Sequence, residues 1–177
     1  MLRAVPVDER AKEIKHLNLD FDDLPMTRAL GVLWNVEQDQ LTFSVQLKAQ
    51  PMTRRGVLSV TAALYDPLGF VAPVILPAKQ LLQKLCVEGK EWDEPLSNEH
   101  QSSWETWLAS LPELSALSIN RHFFPAQSEM TPSNTELHVF CDASSTGYGA
   151  VMYLRMCNED GNVHLCFVAG KARVVPI

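Results

Sequence analysis

Glu136-Leu-His-Val-Phe-Cys-Asp142-Ala-Ser-Ser-Thr-Gly147-Tyr-Gly149-Ala-Val-Met-Tyr-Leu-Arg155 reads as a strand ending in an aspartate, a tight turn and a second strand. Leu137, Val139 and Cys141 alternate with His138, Phe140 and Asp142, the period of a strand with two unlike faces. Ser144 to Gly147 supply turn chemistry. Gly149 to Leu154 is nearly all apolar, which predicts a strand covered on both faces. Asn158-Glu-Asp-Gly161-Asn predicts a hairpin turn, because Asp-Gly accepts the positive φ such turns need. Val163, Leu165, Phe167 and Ala169 continue as a third strand. An acid at the end of a core strand is a candidate metal ligand. Asp142 stands there, and its plainer role would be to cap the Ala143–Gly147 turn.

Upstream the period changes to that of helices. Thr53 is a good N-cap, and Val57, Val60 and Leu64 form an apolar stripe behind it. Pro67 disfavours helix at Asp66, so Tyr65–Gly69 ends this first helix and sets a bend. A second helix is predicted from about Leu76 to Glu88, with Ala78, Leu81, Leu82 and Leu85 on its apolar face and Gly89 as its cap. A third follows Ser97, with Trp104, Trp107, Leu108 and Leu111 in its stripe and Pro112 closing it. Asn120 to Thr135, with Pro125 and Pro132, reads as a linker. Near the start, Ala29–Trp34 and Leu41–Val45 predict a hairpin across the polar Asn35–Gln40 link. Residues 1–27 read as loop with one short helix, and Asp20, Asp22 and Asp23 as a solvated acidic loop. The fold class is therefore α+β: a helical subdomain followed by a three-stranded antiparallel sheet.

Composition narrows the function. At 177 residues and 46% hydrophobic, the chain has room for one domain or two small ones with a packed core. The longest apolar stretch, Phe70 to Ala78, is too short for a membrane span and carries Pro73 and Pro77. Met1 to Arg10 has no apolar signal core. Cys86, Cys141, Cys157 and Cys166 show no C-x-x-C spacing, which fits free thiols in a reducing, intracellular setting (cytoplasmic or nuclear) better than zinc ligands. His164 and Cys166 fall within the third strand's pattern and are read as strand residues. A net charge of -6 argues against a free-standing nucleic-acid binder. Residues 48–91 alone carry net +3, and residues 92–136 carry net -6.

Five motifs stand in a fixed order: Leu30-Gly-Val-Leu-Trp34, Thr53-Arg-Arg-Gly-Val-Leu-Ser-Val-Thr-Ala-Ala-Leu-Tyr-Asp-Pro-Leu-Gly69, Trp92-Asp-Glu-Pro-Leu96, Leu137-His-Val-Phe-Cys-Asp-Ala-Ser-Ser-Thr-Gly-Tyr-Gly-Ala-Val151 and Lys171-Ala-Arg-Val-Val-Pro176. Together, residues 28–177 resemble the polyproteins of BEL/Pao retrotransposons, with Ala172 where the family usually has serine. The resemblance implies four parts. Residues 1–50 would end a reverse transcriptase palm with a hairpin, and 51–119 would form a thumb- or connection-like helical segment. Residues 120–135 would be a linker, and 136–177 the truncated leading part of a ribonuclease H-like domain. The region is conventionally called the Pao retrotransposon peptidase. An aspartic peptidase, however, needs paired Asp-Thr/Ser-Gly turns whose aspartates share a proton. Asp142-Ala-Ser does not supply that string, and a ribonuclease H first strand explains it better.

Ribonuclease H chemistry clamps the scissile phosphate of an RNA–DNA hybrid between two divalent ions. Magnesium prefers hard oxygen ligands, so clustered carboxylates are required. The resemblance makes Asp142 the first catalytic and metal-ligating carboxylate. Its partners are expected from a helix and strands that would follow the third strand, past Ile177. On that expectation the chain is a polyprotein fragment at the reverse transcriptase–ribonuclease H junction. It would hold no cofactor and have no activity alone, with Mg2+ belonging to the full ancestral enzyme. Arg54 and Arg55 are candidate contacts to template–primer phosphates, or else a solvated first turn somewhat disfavoured by the helix dipole. Trp104 and Trp107 are spaced for core packing rather than base stacking. Lys79 and Lys84 lie off the apolar stripe and read as solvated. The implied partner is an RNA–DNA hybrid or template–primer, with no membrane and no small-molecule substrate. Other readings are a domesticated nucleic-acid or protein interaction module and the peptidase of the family label. The third strand, lacking a partner helix, would leave an apolar face exposed.

Overall fold

Two antiparallel sheets flank three helices. The computed structural model describes residues 6–9, 26–29, 32–43, 45, 49–123 and 133–177. The acidic loop read at Asp20–Asp23 and most of the predicted linker lie outside these residues. Val7–Glu9 is a single 3-10 turn.

The first sheet orders β1 (Met26–Ala29), β2 (Val32–Asn35), β3 (Gln40–Thr42) and β4 (Ser118–Asn120) side by side. The expected hairpin forms between β2 and β3, turning at residues 36–39. It differs from expectation in three ways. The upstream segment is divided between β1 and β2, β3 stops at Thr42 rather than Val45, and the start of the predicted linker is strand β4. Asp39 explains the last difference. It takes a positive φ of 54° in the turn, and its carboxylate accepts hydrogen bonds from Trp34 Nε1 at 2.9 Å and Arg121 Nε at 2.6 Å. Its carbonyl accepts from the Arg121 N–H at 3.1 Å. The residue just past β4 is thereby tied to the β2–β3 turn. Burial works against ionisation of Asp39, but the bonds from Arg121 and Trp34 outweigh it and hold its carboxyl below the usual range.

The helices follow their sequence signals closely. α1 (Arg54–Ala63) starts where the Thr53 hydroxyl accepts from the Gly56 N–H at 3.3 Å, and buries Val57 and Val60. α2 (Ala72–Val87) begins four residues before its predicted start. Pro73 fits a first helical turn, where its missing N–H leaves no bond unmade. The Asp66 carboxylate accepts from the N–H groups of Gly69, Phe70 and Val71 at 2.9, 2.9 and 2.8 Å, capping the approach to the helix. α3 (Asn98–Ser110) is capped by Ser97, and Pro112 falls in the 3-10 turn Leu111–Ala116 that follows. Val57, Ile75, Ala78, Leu85, Trp104 and Leu111 meet in one core. Trp104 and Trp107 stack with ring centroids 4.6 Å apart, and Trp107 Nε1 donates to the Val74 carbonyl at 2.7 Å. These rings are core, as their spacing predicted.

The second sheet orders β5 (Asn134–Ala143), β6 (Gly147–Cys157) and β7 (Val163–Val174), all antiparallel. Gly161 takes the positive φ (80°) expected in the β6–β7 turn. α2 lies against this sheet's end. Gln80 Nε2 donates to the Thr146 carbonyl at 3.4 Å, and Gln83 donates to that of Val175. The bend before α2 meets β7 backbone to backbone, with the Gly170 N–H donating to Leu68 at 2.7 Å. Phe70 packs on Phe167 with centroids 4.7 Å apart. The coverage predicted for β6 needs correction. The face carrying Phe140, Tyr153 and Phe167 meets Phe70 and the first turns of α2. Along the opposite face, β6 runs from the exposed Tyr148 and Ala150 through the half-buried Met152 and Leu154 to the buried Met156. On β5, Leu137 and Val139 of that face are 59% and 57% exposed, as is Phe140 (58%) on the face toward α2.

Candidate functional site

Asp142 stands one residue before β5 ends, opposite Gly149 on β6, which in turn pairs with Ala172 on β7. Both neighbours are small, so no bulky side chain crosses the carboxylate from the adjoining strands. Asp142 does not cap its turn. That work belongs to Ser144, whose hydroxyl donates to the Gly147 carbonyl at 3.0 Å and accepts from the Thr146 and Gly147 N–H groups at 3.2 Å each. Asp142 is exposed and has no hydrogen-bond or ion-pair partner among the described residues. An acid left without a structural task at a strand end is poised for an external cation or donor.

It opens onto a cleft of about 780 Å³ between the sheet and the start of α2. Phe70, Pro73 and Leu76 form one wall, and Phe140, Val151 and Tyr153 the other. The packing of α2 brings these walls together. A methyl group on Gly147 would stand 3.3 Å from Leu76 Cδ2, and one on Gly69 would stand 1.9 Å from the Gly170 carbonyl oxygen.

The donors around Asp142 do not amount to a two-ion site. Among the described residues no group of three or more His, Cys, Asp or Glu side chains converges. Glu136 lies six residues back along β5, roughly 20 Å away at strand rise. It is spent on His138 Nε2 at 3.0 Å, Arg155 Nη1 at 3.1 Å and Asn134 Nδ2 at 3.0 Å. The hydrogen bond from His138, then that from Arg155, holds the Glu136 carboxyl below its usual range. Asp160 lies in the β6–β7 turn and accepts from Asn158 Nδ2 at 3.2 Å. Magnesium needs several hard oxygens at once, so the described residues do not fit a two-ion site on their own.

Arg54 and Arg55 are not gathered with Asp142. Arg54 meets the far end of α2, donating to the Lys90 carbonyl at 2.9 Å and to Cys86 Sγ at 3.0 Å. Roughly 18 Å of helix separates that end from the turns beside Asp142. The Arg54 guanidinium also stacks over Trp92 at 4.1 Å. Arg55 forms a two-pronged pair with Asp93, at 2.8 and 3.0 Å, with Trp92 at 5.7 Å. The segment 92–96 is held further by Arg55 N–H to the Trp92 carbonyl at 3.0 Å and by Leu96 N–H to that of Met52 at 2.9 Å. Two motifs forty residues apart are thus halves of one clamp. The sequence signal was there, a basic pair and a Trp-Asp pair of opposite charge, but no periodicity links them.

Among known families, the model described as Pao retrotransposon-like RNaseH-like domain matches residues 53–177. The match runs from the Thr53 cap through the helices to the end of the second sheet. No curated protein matches the chain.

Proposed function

The chain belongs to the Pao retrotransposon-like RNaseH-like domain family, and we propose that it serves a retroelement Pol polyprotein at the junction between reverse transcriptase and ribonuclease H. In this reading its substrate is the RNA strand of an RNA–DNA hybrid. The observation that carries it is Asp142: a strand-end carboxylate without a described partner, beside an open cleft, in a domain of ribonuclease H-like kind. Asp142 acts as one ligand of a divalent-ion site completed by carboxylates from residues other than those described. The magnesium ions, once bound, would supply charge neutralisation at the scissile phosphate. The chain's own part is to hold one carboxylate rigidly at the end of β5, through the Ser144 turn and the α2 contact. The helical segment at residues 51–119 acts as the thumb- or connection-like wall beside the hybrid. By itself the chain does not cut.

The test is cleavage of a labelled RNA–DNA hybrid in magnesium by this chain and by the polyprotein containing it, each with Asp142 and with Asp142→Asn. The expected result is cutting by the polyprotein alone, reduced at least a hundredfold by the substitution (about 2.7 kcal/mol of barrier). Cutting by the short chain, or an Asp142→Asn polyprotein as fast as its parent, overturns the reading.

A further inference from the structure

The second sheet has a face that the helices leave open, and its lower end differs chemically from its upper end. The pairing register places Ala143, Tyr148 and Arg173 in one row across the three strands, and Cys141, Ala150 and Lys171 in the next. Paired residues share a face, so these six project opposite to Asp142, Gly149 and Ala172. Together with Asp142 and Gly149 they line a shallow cleft of about 540 Å³. Lys171 and Arg173 stand two residues apart on one strand, about 7 Å at strand rise, the scale of consecutive phosphates on one nucleic-acid strand. Tyr148 is directly opposite Arg173 and 42% exposed.

These cations also differ from the paired ones elsewhere. Arg54, Arg55, Arg121 and Arg155 all have partners, three of them carboxylates. Lys171 and Arg173 are exposed and have no hydrogen-bond or ion-pair partner among the described residues. Lys79 and Lys84 line neither cleft. Two uncommitted cations beside an exposed aromatic ring in a concavity is the chemistry that holds phosphodiester and stacks one unpaired base.

We propose that Tyr148, Lys171 and Arg173 form a single-strand subsite, holding two consecutive phosphates and one unstacked base of a strand leaving the hybrid. That the anion is a nucleic-acid phosphate rests on the ribonuclease H-like reading; the anion site itself rests on the geometry. The subsite explains how a chain of net charge -6 engages a polyanion: locally, through two charges, with weak overall affinity. Asp142 borders the same cleft although its pairing row faces α2, so the two cations must outweigh one carboxylate there.

The experiment is fluorescence-anisotropy binding of a labelled oligothymidylate to this chain across a salt series. It compares the parent with Lys171→Gln/Arg173→Gln, with the charge-keeping Lys171→Arg/Arg173→Lys and with Tyr148→Leu. Far-UV circular dichroism checks that each variant is folded. Two lost phosphate contacts reduce the slope of log affinity against log salt by about 1.4. That is about 25-fold weaker binding at 0.1 M salt if the two proteins bind equally at 1 M. The charge-keeping variant binds as the parent does, and Tyr148→Leu weakens binding without changing the slope. Parent-like binding by the double glutamine variant, or no binding by the parent, overturns the subsite. Hybrid cleavage is scored separately: cutting without dependence on Lys171 and Arg173 removes this inference alone. Charge-dependent binding with no cutting by the polyprotein removes the catalytic reading and leaves the anion site standing.

Discussion

Single residues set the geometry around Asp142, and the telling ones carry little or no side chain. Gly69 takes φ 81° and lies so close to β7 that an added methyl would fall 1.9 Å from the Gly170 carbonyl oxygen. Gly89 has a similar φ of 67°, with nothing within 4 Å of the added atom. The two glycines therefore separate two costs. Gly89→Ala carries only the left-handed conformation, about 1 kcal/mol. Gly69→Ala carries that and the collision with backbone that cannot swing away, for at least about 2 kcal/mol more. Chemical denaturation of both variants checks the difference, and equal losses would mean that β7 yields without cost. The sequence disclosed Gly69 only as the end of a bend, since its reason for being glycine lies a hundred residues away. Ser144 is a similar case. Its hydroxyl frees Asp142 from turn duty, and a string of small polar residues does not say which of them does the capping.

Elements were legible where one stretch of chain decides them. The caps at Thr53 and Ser97, the stripes of the three helices and the Asp-Gly turn are local signals, and the structure keeps them. The start of α2 was missed because prolines weigh against a helix until their place in it is known. Strand β4 was missed because three residues carry no period. What makes β4 a strand is Asp39, reached across the fold by Arg121. That contact predicts an acid-sensitive sheet. The Asp39 carboxyl is held below its ordinary value of 3.8 in the folded chain. Its contribution is therefore fully present above pH 3.8 and fades as pH falls through the lower folded value. Asp39→Asn should cost about 1.5–3 kcal/mol near neutrality, the range for hydrogen bonds to a charged group. The Arg121 part of the gap between parent and variant should close only on the acid side of pH 3.8, while His122, paired with the same carboxylate, contributes an ionic part only when protonated. Urea midpoints measured down the pH scale read this directly, and a gap independent of pH would assign the loss to packing instead.

At the scale of the whole molecule, the sequence divides the chain at a proline-bearing stretch, while the contacts join what lies on either side of it. Leu68 to Gly170, Phe70 to Phe167, Gln80 to Thr146 and Leu76 against Gly147 all tie the helices to the second sheet. The family match also spans both without a break. A composition shift marks where a chain is extended and polar, but it carries no information on whether the flanking segments pack together afterwards. Contacts of this kind predict that the helices and sheet unfold as one cooperative unit. The tryptophans allow a test, because Trp104 and Trp107 in the helical core, Trp92 beside it and Trp34 in the first sheet all lie outside the second sheet, which contains none. Tryptophan fluorescence and the far-UV signal of the strands should therefore melt at one midpoint. Gly69→Ala should lower both together, since the collision it introduces lies at the seam. A fluorescence transition that keeps its midpoint while the sheet signal falls earlier would show two independent units. The cleft beside Asp142 would then be a gap between neighbours, without the rigid walls that positioning a carboxylate requires.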